Sequence, residues 1–284
     1  MFVPAHNSHM IESSLKSEAD ILLFDLEDSV QPLSNKANAR ENIIRFLNAG
    51  LTSGRVICPR INDIESGLIL DDLNELTISG VWGFMCPKTQ DKKDIHFVDR
   101  LLTALERKKG FDHGHFKLVP LIETSSAVLR ADEICKASER VRAIAFGCED
   151  YITDLGGVHD REGLSIFTAR SLIAIAAKAN KISPIDTVHI AVHDLDHLEE
   201  NLILAKKLGF EGMLVLHPKE IPLVHKYFSP SDGDVADAER LIKLAQTSYA
   251  DGRGVSLVGG TFVGPPMVAA AEKVLAKHRL IRKK

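Results

Sequence analysis

Short runs that are apolar throughout recur along the chain, each followed by a longer stretch with its hydrophobic residues on one helical face. The runs occupy residues 2–4, 21–24, 55–58, 81–86, 117–122, 143–146, 187–192 and 213–216. Runs without polar alternation suit parallel strands that are covered on both sides. Between them, residues 36–47 place Ala37, Ile43, Ile44 and Leu47 on one face, and residues 96–108 do the same with Phe97, Leu101, Leu102 and Leu105. Residues 167–178 and 198–208 follow the same spacing, which predicts four more or less amphipathic helices. Eight strand–helix units completed by Phe228 predict an α/β protein of the (β/α)8 TIM-barrel class. The competing arrangement is a doubly wound open sheet, which normally carries a glycine-rich turn after its first strand. Here that place reads Pro4-Ala5-His6-Asn7-Ser8, without glycine.

After Phe228 the pattern changes. Residues 229–234 read as a loop, 235–246 as a helix, 251–254 as a turn, and 255–263 as a small hairpin around Gly259-Gly260. A last helix is predicted over 265–277, with proline in its first turn. The expected organisation is a TIM-barrel domain over 1–229 and a helix–hairpin–helix extension over 230–284. The extension is too small to fold alone, so it should pack on the barrel or reach a neighbouring subunit.

Composition narrows the class. Of 284 residues, 45% are hydrophobic and 26% charged, which excludes a disordered chain, a collagen-like repeat and a coiled-coil rod. Thirty-five Lys+Arg against 39 Asp+Glu leave a formal charge of −4 and no dense basic stripe, so no nucleic-acid partner is expected. The four cysteines, Cys58, Cys86, Cys135 and Cys148, fit no zinc spacing and form no CxxC. Free thiols in a reducing compartment are expected. The start, MFVPAHNSHM, has neither the charge nor the apolar run of a signal peptide, and no segment approaches ~18 consecutive apolar residues. A cytoplasmic protein without membrane contact is the expectation.

In such a barrel the strand C-termini converge on one face, where catalytic groups collect. The strands end in Asp25-Leu26-Glu27-Asp28, Pro59-Arg60-Ile61-Asn62, Pro87-Lys88-Thr89, Glu123-Thr124, Gly147-Cys148-Glu149-Asp150 and His217-Pro218. That many carboxyl groups at one mouth need cations to stay ionised. Arg60 and Lys88 supply part of the charge, and a hard divalent ion would supply the rest. Glu123 and Asp150, each directly after an apolar run, are the chosen ligand pair for Mg²⁺, which takes one or two protein carboxylates and keeps positions for substrate oxygens. The residues alone leave open whether Arg60 and Lys88 face a substrate or pair with Glu27 and Asp28. They also leave open whether His217 does more than bond to backbone.

These residues resemble a known family. LLFDLEDSV at 22–30 with Lys36 and Arg40, then Arg60-Ile61-Asn62, Pro87-Lys88, Leu121-Ile122-Glu123-Thr124, Gly147-Cys148-Glu149-Asp150, Leu216-His217-Pro218 and Phe228-Ser229-Pro230, is similar to the HpcH/HpaI aldolase and citrate lyase β-subunit family. The order and spacing hold from residue 2 to about 268, nearly the whole chain. The resemblance implies a TIM barrel that makes or breaks a carbon–carbon bond beside a thioester, with Mg²⁺ on Glu123 and Asp150. It implies that Arg60 binds carboxylate or keto-acid oxygens, that Glu27 and Asp28 support Arg60 and metal-bound water, and that Lys88 joins the catalytic set. The implied substrate is a 3-hydroxyacyl-CoA of citramalyl, malyl or citryl type, split to a keto acid and acetyl-CoA. The implied assembly is a homotrimer or hexamer in which the C-terminal segment covers a neighbour's site. Two positions depart from the family pattern. Asn7 stands where relatives carry an Arg that binds the thioester carrier, and Gly264 where relatives carry an acid/base Asp. An aldolase acting on a free hydroxy-keto acid, or a non-catalytic citrate-lyase-like subunit, therefore remain as alternatives.

Overall fold

The computed structural model describes residues 1–52, 54–250, 256–258 and 261–282. Eight strands lie in chain order: β1 (Phe2–Pro4), β2 (Ile21–Asp25), β3 (Val56–Ile57), β4 (Gly83–Cys86), β5 (Lys117–Ile122), β6 (Ala143–Phe146), β7 (Ser183–Asp186) and β8 (Gly212–Met213). Every pairing among them is parallel, with Val3 opposite Phe24, Met85 opposite Val119, Leu121 opposite Ala145 and Asp186 opposite Met213. Two seams close the ring. The amide of Trp82 donates to Ile57 O at 2.8 Å and that of Met85 to Pro59 O at 2.9 Å, joining β3 to β4. The amide of Phe2 donates to Val215 O at 2.9 Å, joining the end of β8 to β1. The predicted TIM barrel is the fold.

Helices alternate with the strands: α1 (Ser8–Leu15), α2 (Asn35–Asn48), α3 (Ile69–Leu76), α4 (Lys92–Lys109), α5 (Ser125–Leu129), α6 (Ala131–Lys136), α7 (Cys148–Leu155), α8 (Leu164–Ala179) and α9 (Leu195–Leu208). Helix α1 starts where the glycine-free turn was noted: Asn7 is its N-cap, the side-chain oxygen accepting from Met10 N at 3.2 Å. Most strand side chains are buried and of β1 to β8 only Val56 is exposed, because helices cover the sheet outside while Leu23, Cys58, Met85, Val119, Leu121, Ala145 and Leu214 fill the interior. All four cysteines are buried and free. Among the described residues no helix is long and apolar enough to cross a membrane.

One predicted strand is displaced. The apolar run 187–192 is loop, and β7 is instead Ser183-Pro184-Ile185-Asp186. Pro184 lacks an amide donor and reads as a strand breaker, while Ser183 and Asp186 hide the run's apolar character. The apolar side chains of 187–192 have another use, taken up below.

The carboxylate that ends β7 anchors the outer layer. Arg170 of α8 and Asp186 are both fully buried, Nε to Oδ1 at 3.1 Å, with Nη2 on Oδ2. Asp186 Oδ1 also accepts from Thr187 N at 2.9 Å, and Thr187 Oγ1 accepts from Cys148 N at 3.1 Å. This chain of bonds fixes the start of α7 relative to β7.

The chain divides into two compact units, Met1–Ile221 and Pro222–Lys284. The second holds most of α10 (Ile221–Phe228), then α11 (Asp232–Ala250), an antiparallel pair β9 (Ser256–Val258) and β10 (Thr261–Val263), and α12 (Pro265–Ile281), with α11 against α12. The predicted turns at 251–254 and Gly259-Gly260 lie outside the described residues.

Removing one partner of the Arg170–Asp186 pair should leave an uncompensated buried charge, and Arg170→Met is expected to cost roughly 3–5 kcal/mol. The double variant Arg170→Met, Asp186→Leu should recover most of that loss. Denaturant unfolding of the three proteins checks both statements.

Candidate active site

The ends of β2 to β6 deliver a connected set of charges to one mouth. Asp25, the last residue of β2, is gripped by the guanidinium at the end of β3: Arg60 Nε to Oδ1 at 2.6 Å and Nη2 to Oδ2 at 2.7 Å. The carboxylate also accepts from the amides of Glu27 and Ser29 at 3.0 and 3.1 Å, and from the Ser29 hydroxyl. Burial alone would raise Asp25, but the hydrogen bonds and charge of Arg60 outweigh it and hold the carboxyl below its usual range. Phe2 closes the other side, its ring 4.7 Å from the guanidinium carbon.

Behind this pair stands Glu27. Its Oε2 lies 3.1 Å from Arg60 Nη1 and its Oε1 2.8 Å from Lys88 Nζ. Burial pushes the Glu27 carboxyl up against the pull of these two cations. Lys88 does two things at once. Its side chain holds Glu27, and its amide donates to Glu123 Oε2 at 2.6 Å. To do so it adopts φ +49°, the left-handed region that costs a non-glycine residue of the order of 1 kcal/mol. Glu123, at the end of β5, is 4% exposed, and burial pushes its carboxyl up to about 8. The Lys88 amide and Arg60 oppose that rise, and the neighbouring Glu27 and Asp150 add to it.

Gly147 makes room for Glu123. A Cβ there would lie 2.6 Å from Glu123 Cγ and 2.7 Å from Oε1. It is also the N-cap of α7, whose first turn carries Glu149 and Asp150. A cavity of about 350 Å³ opens above, lined by Arg60, Asp25, Asp28, Glu123, Glu149 and Asp150 on its polar side. Its apolar side includes Phe2, Leu121, Phe146, Val188, Ile190 and Leu214. Val188 and Ile190 belong to the run predicted as a strand, which explains its hydrophobicity: it walls the cavity.

Of the six residues singled out from sequence, Arg60, Asp28, Glu123 and Asp150 face this cavity. Glu27 is buried behind it, and Lys88 lines a separate cavity of about 350 Å³ between the β3 and β4 loops. Asp28 sits at the rim, 3.6 Å from Lys88 Nζ and 3.9 Å from Arg60 Nη1. Asp25 and Gly147 are the residues whose roles sequence reasoning passed over. Asp25 stood in a run of three acids with nothing in the order to set it apart.

The donor set fits a hard divalent cation. Two carboxylates, one held at a single oxygen by an amide and the other free of ion pairs among the described residues, converge on a cavity that concentrates negative charge. Among the described residues no three His, Cys, Asp or Glu side chains form a metal cluster, so the remaining positions would fall to water and substrate oxygens.

Comparison with known proteins decides the family. The profile of the HpcH/HpaI aldolase/citrate lyase family matches residues 1–218. The chain belongs to this family. It is 32% identical over 279 residues to the citrate lyase subunit beta of Haemophilus influenzae, covering 98% of this chain and 96% of that protein. It is 27% identical to the L-malyl-CoA/beta-methylmalyl-CoA lyase of Rhodobacter capsulatus, covering 99% and 94%. The crystal structure of protein CitE from Mycobacterium tuberculosis, in complex with magnesium, acetoacetate and coenzyme A, superposes with a TM-score of 0.77 at 26% identity, covering 98% of this chain and 96% of that one. Membership of the HpcH/HpaI aldolase/citrate lyase family makes the chain a carbon–carbon lyase.

Gly147→Ala should displace the Glu123 carboxylate, since the new methyl would lie 2.6 Å from Glu123 Cγ and 2.7 Å from Oε1, and that side chain must shift. Divalent-cation affinity is expected to fall at least tenfold by calorimetry while the circular dichroism spectrum keeps its shape.

Proposed function

We propose that this protein is a Mg²⁺-dependent lyase that splits a 3-hydroxyacyl-CoA into a keto acid and acetyl-CoA. The observation that carries the reading is the placement of Glu123 and Asp150 in one cavity with Arg60, in a chain similar along its length to proteins named as citrate lyase subunit beta and malyl-CoA lyase. That a similar structure holds magnesium, acetoacetate and coenzyme A supports the same ligand classes here.

Glu123 and Asp150 would hold the ion, which supplies Lewis acidity toward the substrate's hydroxyl and carboxylate oxygens. The Lys88 amide fixes which Glu123 oxygen is left for the metal. Asp25 holds Arg60 by one edge of the fork, so the other edge can receive the carboxylate that becomes part of the keto acid. Asp28, which lines the cavity at its rim, would take the hydroxyl proton directly or through a water. Cleavage moves the bonding pair onto the thioester α-carbon, and the resulting enolate takes a proton from water at the open mouth. Glu27 and Lys88 position Arg60 and Glu123 from behind. The C-terminal unit we assign to completing a neighbour's site in a homotrimer or a multiple of it.

A second reading, an aldolase acting without CoA, is favoured by one observation: Asn7, at the position where the family resemblance implies a carrier-binding Arg, uses its side-chain oxygen to cap α1. Calorimetric titration with CoA separates the two.

Glu123→Gln and Asp150→Asn are each expected to weaken Mg²⁺ binding at least tenfold, about 1.4 kcal/mol. Because burial pushes Glu123 up to about 8 in the metal-free protein, the ion must displace a proton below that pH. Mg²⁺ affinity should therefore climb with pH and level off above about 8, and Glu123→Gln should flatten that profile. The same raised carboxyl stabilises the metal-free fold at low pH, and that contribution is lost as pH rises through about 8. Mg²⁺ should accordingly raise the melting temperature more at about pH 9 than at about pH 6.5.

Gly264 is the N-cap of α12, with extended backbone at φ −138°, a position where Asp is favoured. Gly264→Asp should fold normally and raise exchange of the acetyl-CoA α-protons with solvent deuterium by about 10²–10⁴-fold, the usual worth of general acid–base assistance. Rapid exchange by the natural protein would place the base elsewhere.

A further inference from the structure

The helix that carries Asp150 begins without a cap of its own. Its N-cap is Gly147, which has no side chain to bond the first-turn amides. Ser, Thr, Asp or Asn would ordinarily supply that bond. None of them fits here, because a Cβ at Gly147 would lie 2.6 Å from Glu123 Cγ and 2.7 Å from Oε1. The room given to one acid removes the cap from the helix that carries the other.

The missing acceptor comes from a neighbouring strand end. Cys148 N, the first amide of α7, donates to Thr187 Oγ1 at 3.1 Å across 39 residues of chain. Thr187 directly follows β7 and is buried. Its own amide is held on Asp186 Oδ1 at 2.9 Å, and Arg170 fixes Asp186 in turn. The hydroxyl is thus placed independently of the helix it caps. The body of α7 is anchored elsewhere. Cys148, Tyr151 and Ile152 are buried, and the Tyr151 ring packs edge-on against Phe146 with centroids 5.4 Å apart. Near the far end Asp154 accepts from Ser125 N at 2.7 Å. Loss of the Thr187 acceptor would free the first turn, where Asp150 lies, and leave the rest of the helix docked.

We infer that Thr187 is a positioning residue for the metal site: its hydroxyl caps α7 in place of a side chain at 147 and so aims Asp150 into the cavity. This rests on the reading of Glu123 and Asp150 as the Mg²⁺ ligands.

The test is a double-mutant cycle on the full chain, read by calorimetric titration of Mg²⁺. Thr187→Val keeps the shape and removes the acceptor. It should weaken Mg²⁺ binding about tenfold, the low end of the 10–100-fold that groups behind metal ligands control. Thr187→Ser keeps the hydroxyl and should stay within about twofold of the natural protein. Because Thr187 acts through Asp150, adding Thr187→Val to Asp150→Asn should cost no more than about twofold beyond Asp150→Asn alone. Losses that add in full would make Thr187 a general support of the fold and overturn the inference. Unchanged affinity in Thr187→Val beside a weakened Asp150→Asn overturns it too, and both results leave the ligand reading standing. Natural affinity in Asp150→Asn removes the ligand reading itself, and the inference falls with it. If Thr187→Val does not fold, Thr187→Ala removes the same acceptor and the same comparisons decide.

Discussion

The Arg60–Asp25 fork is the contact on which the mouth of the barrel depends. It ties the end of β2 to the end of β3 by two charge-assisted bonds, and the strands themselves meet there through the Leu26 amide on Arg60 O at 2.9 Å. The charged groups from β2 to β5 are placed relative to it. Arg60 reaches Glu27, Glu27 reaches Lys88, and Lys88 reaches Glu123 through its own backbone. Four strand ends, β2 to β5, are thereby linked in one run of alternating charge. Such a run also defines what is left over: one edge of a guanidinium, and two carboxylates with open oxygens.

The left-over groups create a demand that the protein alone does not meet. Glu123 is buried beside other acids, and its raised proton affinity measures how poorly the site tolerates its charge. Two backbone features show that the burial is built in rather than incidental. Lys88 accepts a left-handed conformation to point its amide at Glu123, and Gly147 forgoes a side chain that would push the carboxylate away. A site assembled at that conformational cost, with an uncompensated carboxylate pair, is physically suited to a small divalent cation.

The barrel was legible in the chain because parallel strands buried on both faces leave uninterrupted apolar runs, and seven of the eight runs mark strands at or near their observed places. The exception is instructive. Residues 187–192 are as apolar as a strand because Val188 and Ile190 line the cavity, while the true strand contains Pro184 and ends in a buried aspartate. Hydrophobicity reports burial or a binding wall without distinguishing them. The acids at the strand ends were legible as a group for a related reason: their position after each run is a one-dimensional fact. Their division of labour was not. Which of Asp25, Glu27 and Asp28 grips Arg60, and which faces the cavity, depends on how the chain turns after β2, where the amides of Glu27 and Ser29 fold back onto Asp25.

Asp150 shows how far the positioning of the site relies on the scaffold. It makes no ion pair among the described residues, so no salt bridge aims its carboxylate. Its place is set by α7, and α7 is set by its first amide, Cys148 N, on the Thr187 hydroxyl. Thr187 in turn is held by its amide on Asp186, which Arg170 of α8 neutralises in the fully buried layer outside the barrel. A carboxylate without an ion pair is aimed in this way, through backbone fixed from behind. A carboxylate gripped by a neighbouring arginine would have lone pairs committed to that fork, whereas Asp150, without an ion pair among the described residues, does not.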